Sequence, residues 1–163
     1  MTEQIYSESP RKIMQNKRAL EEALNITISN KGNVIFCEGN AADEMIALEI
    51  IEAMGMGFSL SQAIDLKNEK YYFEIIPIKN IARRKNLSQV RARVIGTERG
   101  VLRTIESLTG CEIVLHDNLV GIIGLAEDVR KAAYALKKLI GGSKHANVYA
   151  YLEEEKFKER AGI

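Results

Sequence analysis

Two stretches of this 163-residue chain match one another at a single constant offset, the one that carries Leu20 onto Ile105. The first opens at Leu20-Glu21 and passes through Ile28, Gly39, Asp43 and Ala47 to Gly57. The second opens at Ile105-Glu106 and passes through Ile113, Gly124, Asp128 and Ala132 to Gly142, with no gap. Such a repeat restricts the chain to two units of one fold. Units of roughly 70 residues bury modest cores and are marginal alone, so the halves are expected to pack together. Ahead of the repeat the copies differ. The second is preceded by Arg93-Val94-Ile95-Gly96-Thr97-Glu98-Arg99-Gly100, the first by Arg11-Lys12-Ile13-Met14-Gln15. Only the second copy carries a glycine-marked loop, which suggests that one half binds and the other supports.

The net charge of +1 conceals an asymmetry. Residues 1–78 hold 7 Lys/Arg against 12 Asp/Glu, a balance of −5; residues 79–163 hold 16 against 10, a balance of +6. Lys79, Arg83, Arg84, Lys85, Arg91, Arg93, Arg99 and Arg103 crowd around the loop with Glu98 as the one acidic residue among them. Charge that converges on a loop in this way is the footprint of a polyanionic partner. No apolar run approaches the roughly 18 residues of a membrane span. Met1-Thr2-Glu3-Gln4 does not open a signal peptide, so a cytoplasmic location is expected. Cys37 and Cys111 fall inside predicted strands at non-equivalent positions and read as buried, reduced thiols. Neither His116 nor His145 has metal-ligand spacing to them, and no metal or cofactor is expected.

The second copy reads as strand, helix, glycine loop, helix, strand, strand, helix. Tyr71–Ile78 is aromatic and β-branched, and its Pro77 suits an edge strand or a strand end. Leu87, Val90 and Val94 share one face of a helix over 86–95 that carries Arg91 and Arg93 on its other sides. A helix from Val101 to Leu108 stops at Gly110. Two strands, 111–116 and 119–124, turn at Asp117-Asn118. The helix over 126–140 turns Val129, Ala132, Ala133, Leu136 and Ile140 inward and ends at Gly141-Gly142.

The first copy repeats the later part of this order. It reads as a helix through Leu20 and Leu24, strands over 25–30 and 33–38 turning at Lys31-Gly32, and a helix over 41–54. Upstream there are too few residues for a strand and a helix together, so only a short strand around Gln4–Tyr6 is expected there. Outside the repeat, 59–66 reads as a short helix capped by Ser59 or Ser61. Residues 146–160 read as a terminal helix packing across the two copies through Val148, Tyr149 and Leu152.

A Gly-x-x-Gly turn between two helices brings backbone N–H groups close to a ligand, and the following helix presents its positive end. Phosphate binds well in such a place. Arg91 and Arg93 would add contacts that are strong but blind to sequence. The helix from Val101 and the strand from Cys111 would form an apolar groove in which Ile113 meets the bases of a single strand.

The order β-α-α-β-β-α, with Val94-Ile95-Gly96 leading the loop and Ile105-Glu106 following it, resembles a type I KH domain. The joining segment Gly57-Phe58-Ser59 through Ala63 and the ending Lys144-His145-Ala146-Asn147-Val148-Tyr149 through Leu152-Glu153 sharpen the match. They resemble the archaeal KH protein of small-subunit ribosome biogenesis, counterpart of the eukaryotic "partner of Nob" protein. The resemblance covers nearly the whole chain. It implies an α+β fold of two tandem type I KH-like domains: residues 1–67 degenerate, 68–142 with the loop, and 143–163 a C-terminal helix. It also implies binding to single-stranded ribosomal RNA near the 3′ end of the small-subunit precursor, and cooperation with the endonuclease that matures that end and with a translation initiation factor.

The expected RNA-binding residues are Arg91, Arg93, Gly96, Thr97, Arg99, Gly100, Arg103 and Ile113. The loop departs from the family pattern, because Arg99 stands where the fourth position is glycine. Either the loop runs one residue longer, to Gly100, or Arg99 replaces backbone contacts with a charge-assisted one. No RNA contacts are carried over to the first copy, where Arg11-Lys12-Ile13-Met14 replaces the loop. A non-catalytic RNA-binding protein, acting as a monomer, is the leading expectation. The alternative is a protein–protein adaptor that docks the endonuclease or the initiation factor through its acidic first domain. No paired-carboxylate site or nucleophile beside a base suggests an enzyme.

Overall fold

A computed structural model describes residues 2–163; Met1, the first residue of the expected first domain, lies outside them. The chain divides into two compact units, the first ending at Tyr71 and the second spanning Tyr72–Ile163.

The first unit runs β1 (Thr2–Tyr6), α1 (Pro10–Gln15), α2 (Lys17–Leu24), β2 (Thr27–Lys31), β3 (Val34–Glu38), α3 (Ala41–Met56) and α4 (Leu60–Ala63). Its strands form an antiparallel sheet in the order β1-β3-β2. The hairpin turns at Gly32-Asn33, one residue later than expected. Ser59 caps α4 in a capping box: its hydroxyl accepts from the Gln62 amide, and the Gln62 side chain accepts from the Ser59 amide.

The second unit runs β4 (Tyr71–Pro77), α5 (Ile78–Ile81), α6 (Leu87–Ile95), α7 (Gly100–Thr109), β5 (Glu112–His116), β6 (Leu119–Leu125), α8 (Ala126–Ile140) and α9 (His145–Ala161). The sheet order β4-β6-β5 repeats that of the first unit and places β4, with its terminal Pro77, at an edge. The inward faces read from the sequence are buried: Val90 and Val94 on α6, Leu102 and Ile105 on α7, and Val129, Ala132, Ala133, Leu136 and Ile140 on α8. Cys37 and Cys111 are buried free thiols, and burial pushes each up to about 11.

The repeat has a physical basis at most of its matched positions. Leu20, Ile28, Ile35 and Ala47 are core residues, as are their counterparts Ile105, Ile113, Val120 and Ala132. Glu21 Oε2 accepts a hydrogen bond from the Ile28 amide at 2.8 Å, and Glu106 Oε2 accepts the equivalent bond from Ile113 at 3.0 Å. Each carboxylate thereby fixes the start of the strand after its helix. A Cβ on Gly39 would lie 3.0 Å from Ile26 Cγ2, and one on Gly124 would lie 2.7 Å from Cys111 Sγ. Ile26 and Cys111 are themselves counterparts in the repeat, so both glycines are set by the close approach of one strand to the next.

Two expectations are overturned. The first copy does hold a strand and a helix ahead of α2, because α1 is only six residues long and joins α2 through the single residue Asn16. Lys12 Nζ on α1 donates to the Met54 and Phe58 carbonyls at 2.9 and 2.8 Å. In the second unit Arg93 on α6 donates to the Leu139 carbonyl at 2.5 Å and to that of Ser143. Met54 and Leu139 are counterparts at the repeat offset, as are Phe58 and Ser143, whereas the step from Lys12 to Arg93 is four positions shorter. The two cations therefore do the same work, bridging a carbonyl in the last turn of the final KH helix to a carbonyl of the segment just after it. Ile13 and Val94, the next residues, are both fully buried. The shorter step marks a deletion of four residues in the first copy, between this clamp and α2. That copy has shortened its helix and lost the loop, rather than losing both. The second correction concerns α9. Its Val148 and Leu152 join the core of the second unit, against α7 and α8, and Lys131–Glu159 (3.6 Å) ties it to α8. The apolar face read as cross-copy packing is filled within its own unit.

Candidate nucleic-acid interface

The loop begins where α6 stops. Asn86 opens α6 by accepting from the Gln89 amide, and Gly96 closes it at φ 76°, ψ 173°. That conformation is essentially restricted to glycine. A Cβ there would also stand 2.4 Å from Val101 Cγ2 and 2.7 Å from the Val101 nitrogen. Thr97–Arg99 form one 3₁₀ turn in which Glu98 and Arg99 both adopt positive φ, 52° and 65°. Gly100 has ordinary helical angles, φ −61° and ψ −37°, and is the first residue of α7. The loop is therefore four residues long, Gly96–Arg99, and Arg99 occupies the left-handed position expected of the fourth glycine. Gly100 lies outside it.

Arg99 holds that position through its side chain. Its guanidinium donates to Glu106 Oε1 at 2.9 Å and to the Ile113 carbonyl at 2.5 Å. Glu106 thus serves two partners, the strand amide shared by both copies and the arginine particular to this loop. The side chain lies back over α7 and β5, and its polar contacts there are with the protein.

The other expected residues are placed as follows. Arg91 is half-buried and donates to Asn118 Oδ1 at 3.0 Å. Arg93 is engaged by the clamp, and its own carbonyl meets His145 Nε2 at 2.9 Å. Thr97 and Arg103 are exposed, and Arg103 is in no ion pair among the described residues. Ile113 is 1% exposed, so its side chain belongs to the core and lines no groove. This corrects the expectation for Ile113: in strand β5 the alternation points it at the helices. Lys79, Arg83, Arg84 and Lys85 are all exposed, just before α6. The exposed positive charge therefore comes from this segment, at the opposite end of α6 from the loop, and from Arg103, while three of the four expected arginines have protein partners. Charge density alone cannot separate these groups. The correspondence of Lys12 to Arg93 does so for one of them.

The site is thus a tight turn that only Gly96 can make, followed by the N-terminal end of α7, with Arg103 exposed in the first turn of that helix. Sheet order, helix order and loop together define a type I KH domain. In agreement, residues 72–157 match the family model of a eukaryotic-type KH domain, type I, specifically the second KH domain of PNO1. This chain belongs to that family.

Over 69% of its length it is 38% identical to a KH domain-containing protein of Methanocaldococcus jannaschii, covering 50% of that protein. It is 32% identical, again over 69% of its length, to the pre-rRNA-processing protein PNO1 of Eremothecium gossypii, covering 44% of it. The chain spans about half the length of the curated relatives it matches. Among solved structures it resembles that of the a/eIF2alpha–aDim2p–rRNA complex from Pyrococcus horikoshii. The TM-score is 0.88 at 28% identity, covering 97% of this chain and 95% of that one. Among the described residues no helix is long and apolar enough to cross a membrane.

Proposed function

We propose that the second unit binds single-stranded ribosomal RNA of the small subunit near its 3′ end, and that the protein acts without catalysis in maturation of that RNA in the cytoplasm. The observation that carries the reading is the Gly96 turn between two helices, with exposed Arg103 in the helix that follows and the exposed cations of residues 79–85 ahead of the helix that precedes it. Only glycine can make this turn, since a Cβ there would fall on Val101, and a tight turn leading into a helix N-terminus is where a phosphate meets backbone N–H groups. Lys79, Arg83, Arg84, Lys85 and Arg103 supply charge that positions the backbone, and sequence is read by bases splayed against the protein. Support also comes from the relatives, one a pre-rRNA-processing protein and another solved in a complex with rRNA.

The reading is tested by fluorescence anisotropy with a labelled single-stranded RNA octamer taken from the 3′ end of small-subunit rRNA. Gly96→Asp is expected to weaken binding at least tenfold at low salt. An affinity within twofold of the parent would overturn the assignment of the loop.

A second role is compatible with the first. The acidic balance of residues 1–78 and the lost loop of the first unit suit docking of a protein. The partners proposed are the rRNA-maturing endonuclease and a translation initiation factor, the latter supported by a/eIF2alpha in the neighbouring complex. Pull-down of either from nuclease-treated extract would support this role; loss of both after nuclease would count against it.

A further inference from the structure

Away from the loop, α8 and α9 enclose a cavity of about 220 Å³ lined by Tyr134, Lys138, Ser143, Asn147 and Tyr151. The two tyrosine rings approach to 4.7 Å between centroids at 48°, and Lys138 Nζ lies 5.4 Å from the Tyr134 centroid. Tyr134 is 46% exposed, although it sits on a helix whose inward face is otherwise alanine, valine, leucine and isoleucine. The core does not require this ring. A second, larger depression of about 560 Å³ adjoins the first, shares Tyr134, Lys138 and Ser143 with it, and adds Arg83 and Lys137. None of Arg83, Lys137 and Lys138 is in an ion pair among the described residues.

The chemistry of this surface is specific. Aromatic faces beside unpaired cations form the usual platform for single-stranded nucleic acid, where bases stack and phosphates meet charge. Asn147 and Ser143 offer both donors and acceptors, as a base edge requires. The smaller cavity is below the roughly 300–1,000 Å³ typical of sites for drug-sized ligands, which suits one planar ring. The helix that leads into the loop is anchored beside this surface. Arg93, on the last turn of α6 before Gly96, bonds to the carbonyls of Leu139 and Ser143, and Ser143 lines both depressions. A strand that left the loop along α6 would reach this surface.

We propose that the Tyr134–Tyr151 cavity is a second nucleotide site, which takes one base of a single-stranded RNA already held at the Gly96 loop, with the adjoining phosphates on Arg83, Lys137 and Lys138. The inference rests on the RNA-binding reading of the second unit. It predicts that RNA longer than the loop can hold gains affinity from the cavity, whereas short RNA does not.

The test uses the full chain and two labelled oligonucleotides, a tetramer and a 16-mer of single-stranded RNA. Tyr134→Ala with Tyr151→Ala is expected to weaken the 16-mer at least fivefold and leave the tetramer within twofold. Lys138→Glu, which leaves both rings in place, is expected to act in the same direction and guards against a folding defect in the tyrosine variant. Photocrosslinking of a 16-mer carrying 5-iodouridine is expected to label Tyr134 or Tyr151. If both variants bind both RNAs as the parent does while Gly96→Asp weakens both, the second site is wrong and the loop stands. If Gly96→Asp also has no effect, the RNA-binding reading itself fails.

Discussion

Gly96 and Gly100 look like a pair in the sequence, yet the structure makes them opposites, and substituting each by alanine tests the loop directly. At Gly96, alanine must adopt φ 76° and ψ 173°, a region that costs about 2 kcal/mol for a residue with a Cβ. The new atom also falls 2.7 Å from the Val101 nitrogen and 2.4 Å from Val101 Cγ2. The valine side chain can rotate, but the backbone nitrogen is the first turn of α7 and must shift, adding at least about 1 kcal/mol. At Gly100 the angles are helical and nothing lies within 4 Å of the added Cβ. Alanine there reduces unfolded-state freedom and stabilises by about 0.5–1 kcal/mol. The two variants should therefore differ by about 3–4 kcal/mol in the second unit. Urea unfolding of the full chain, with amide exchange at Ile113 and Ile122 as the local report on that unit, measures the difference. Equal destabilisation by the two would refute the four-residue loop and favour one that runs to Gly100.

Other consequences follow from particular bonds. Lys12→Ala and Arg93→Ala each strip two carbonyls of a charged donor, so each should cost about 1.5–3 kcal/mol in its own unit. For Arg93→Ala, RNA affinity should stay within threefold under folding conditions; a large loss of affinity at unchanged stability would restore the arginine to the RNA contacts. At Arg99, glycine relieves the left-handed strain that alanine retains, while both lose the bonds to Glu106 and Ile113. The alanine variant should be less stable than the glycine variant by about 1–2 kcal/mol in chemical denaturation. The thiols of Cys37 and Cys111, raised by burial from 9.0 to about 11, should resist alkylation at pH 8 until the chain unfolds. Because the native state binds these protons more tightly, their stabilising contribution is present below the unfolded pKa and is lost between about pH 9 and 11. A midpoint of denaturation flat across that range would contradict it.

The fold of the second unit was legible because its elements are long and periodic, and because the repeat supplies the same pattern twice. Helix α8 was read from Ala126 to Ile140, the bounds it has. The start of the first copy was not legible, since a six-residue helix gives too few turns to show a period and Pro10 sits at its first position. The only trace of it is the Lys12-Ile13 pair, which reappears as Arg93-Val94 at a step four positions short of the repeat offset. The site was half legible. Gly96 announced itself, but arginines that clamp carbonyls and arginines left in solvent look alike as letters. Ile113 was misplaced because a strand's alternation says that its faces differ, not which one faces the helices. Tyr134 and Tyr151 lie on two helices and become neighbours only when α9 folds back on α8.

The central claim, that the Gly96 turn and the exposed cations of its flanking segments bind single-stranded RNA, is tested most directly by the salt dependence of octamer affinity. Each phosphate neutralised on a single strand contributes about −0.7 to the slope of log K against log salt. Lys79, Arg83, Arg84, Lys85 and Arg103 are exposed cations on the segments that flank α6 and the loop, so three to five contacts give a slope between about −2 and −3.5 for the parent. Gly96→Asp should weaken binding at every salt concentration, most at the lowest. A parent slope near zero, or Gly96→Asp binding as the parent does across the series, would contradict it.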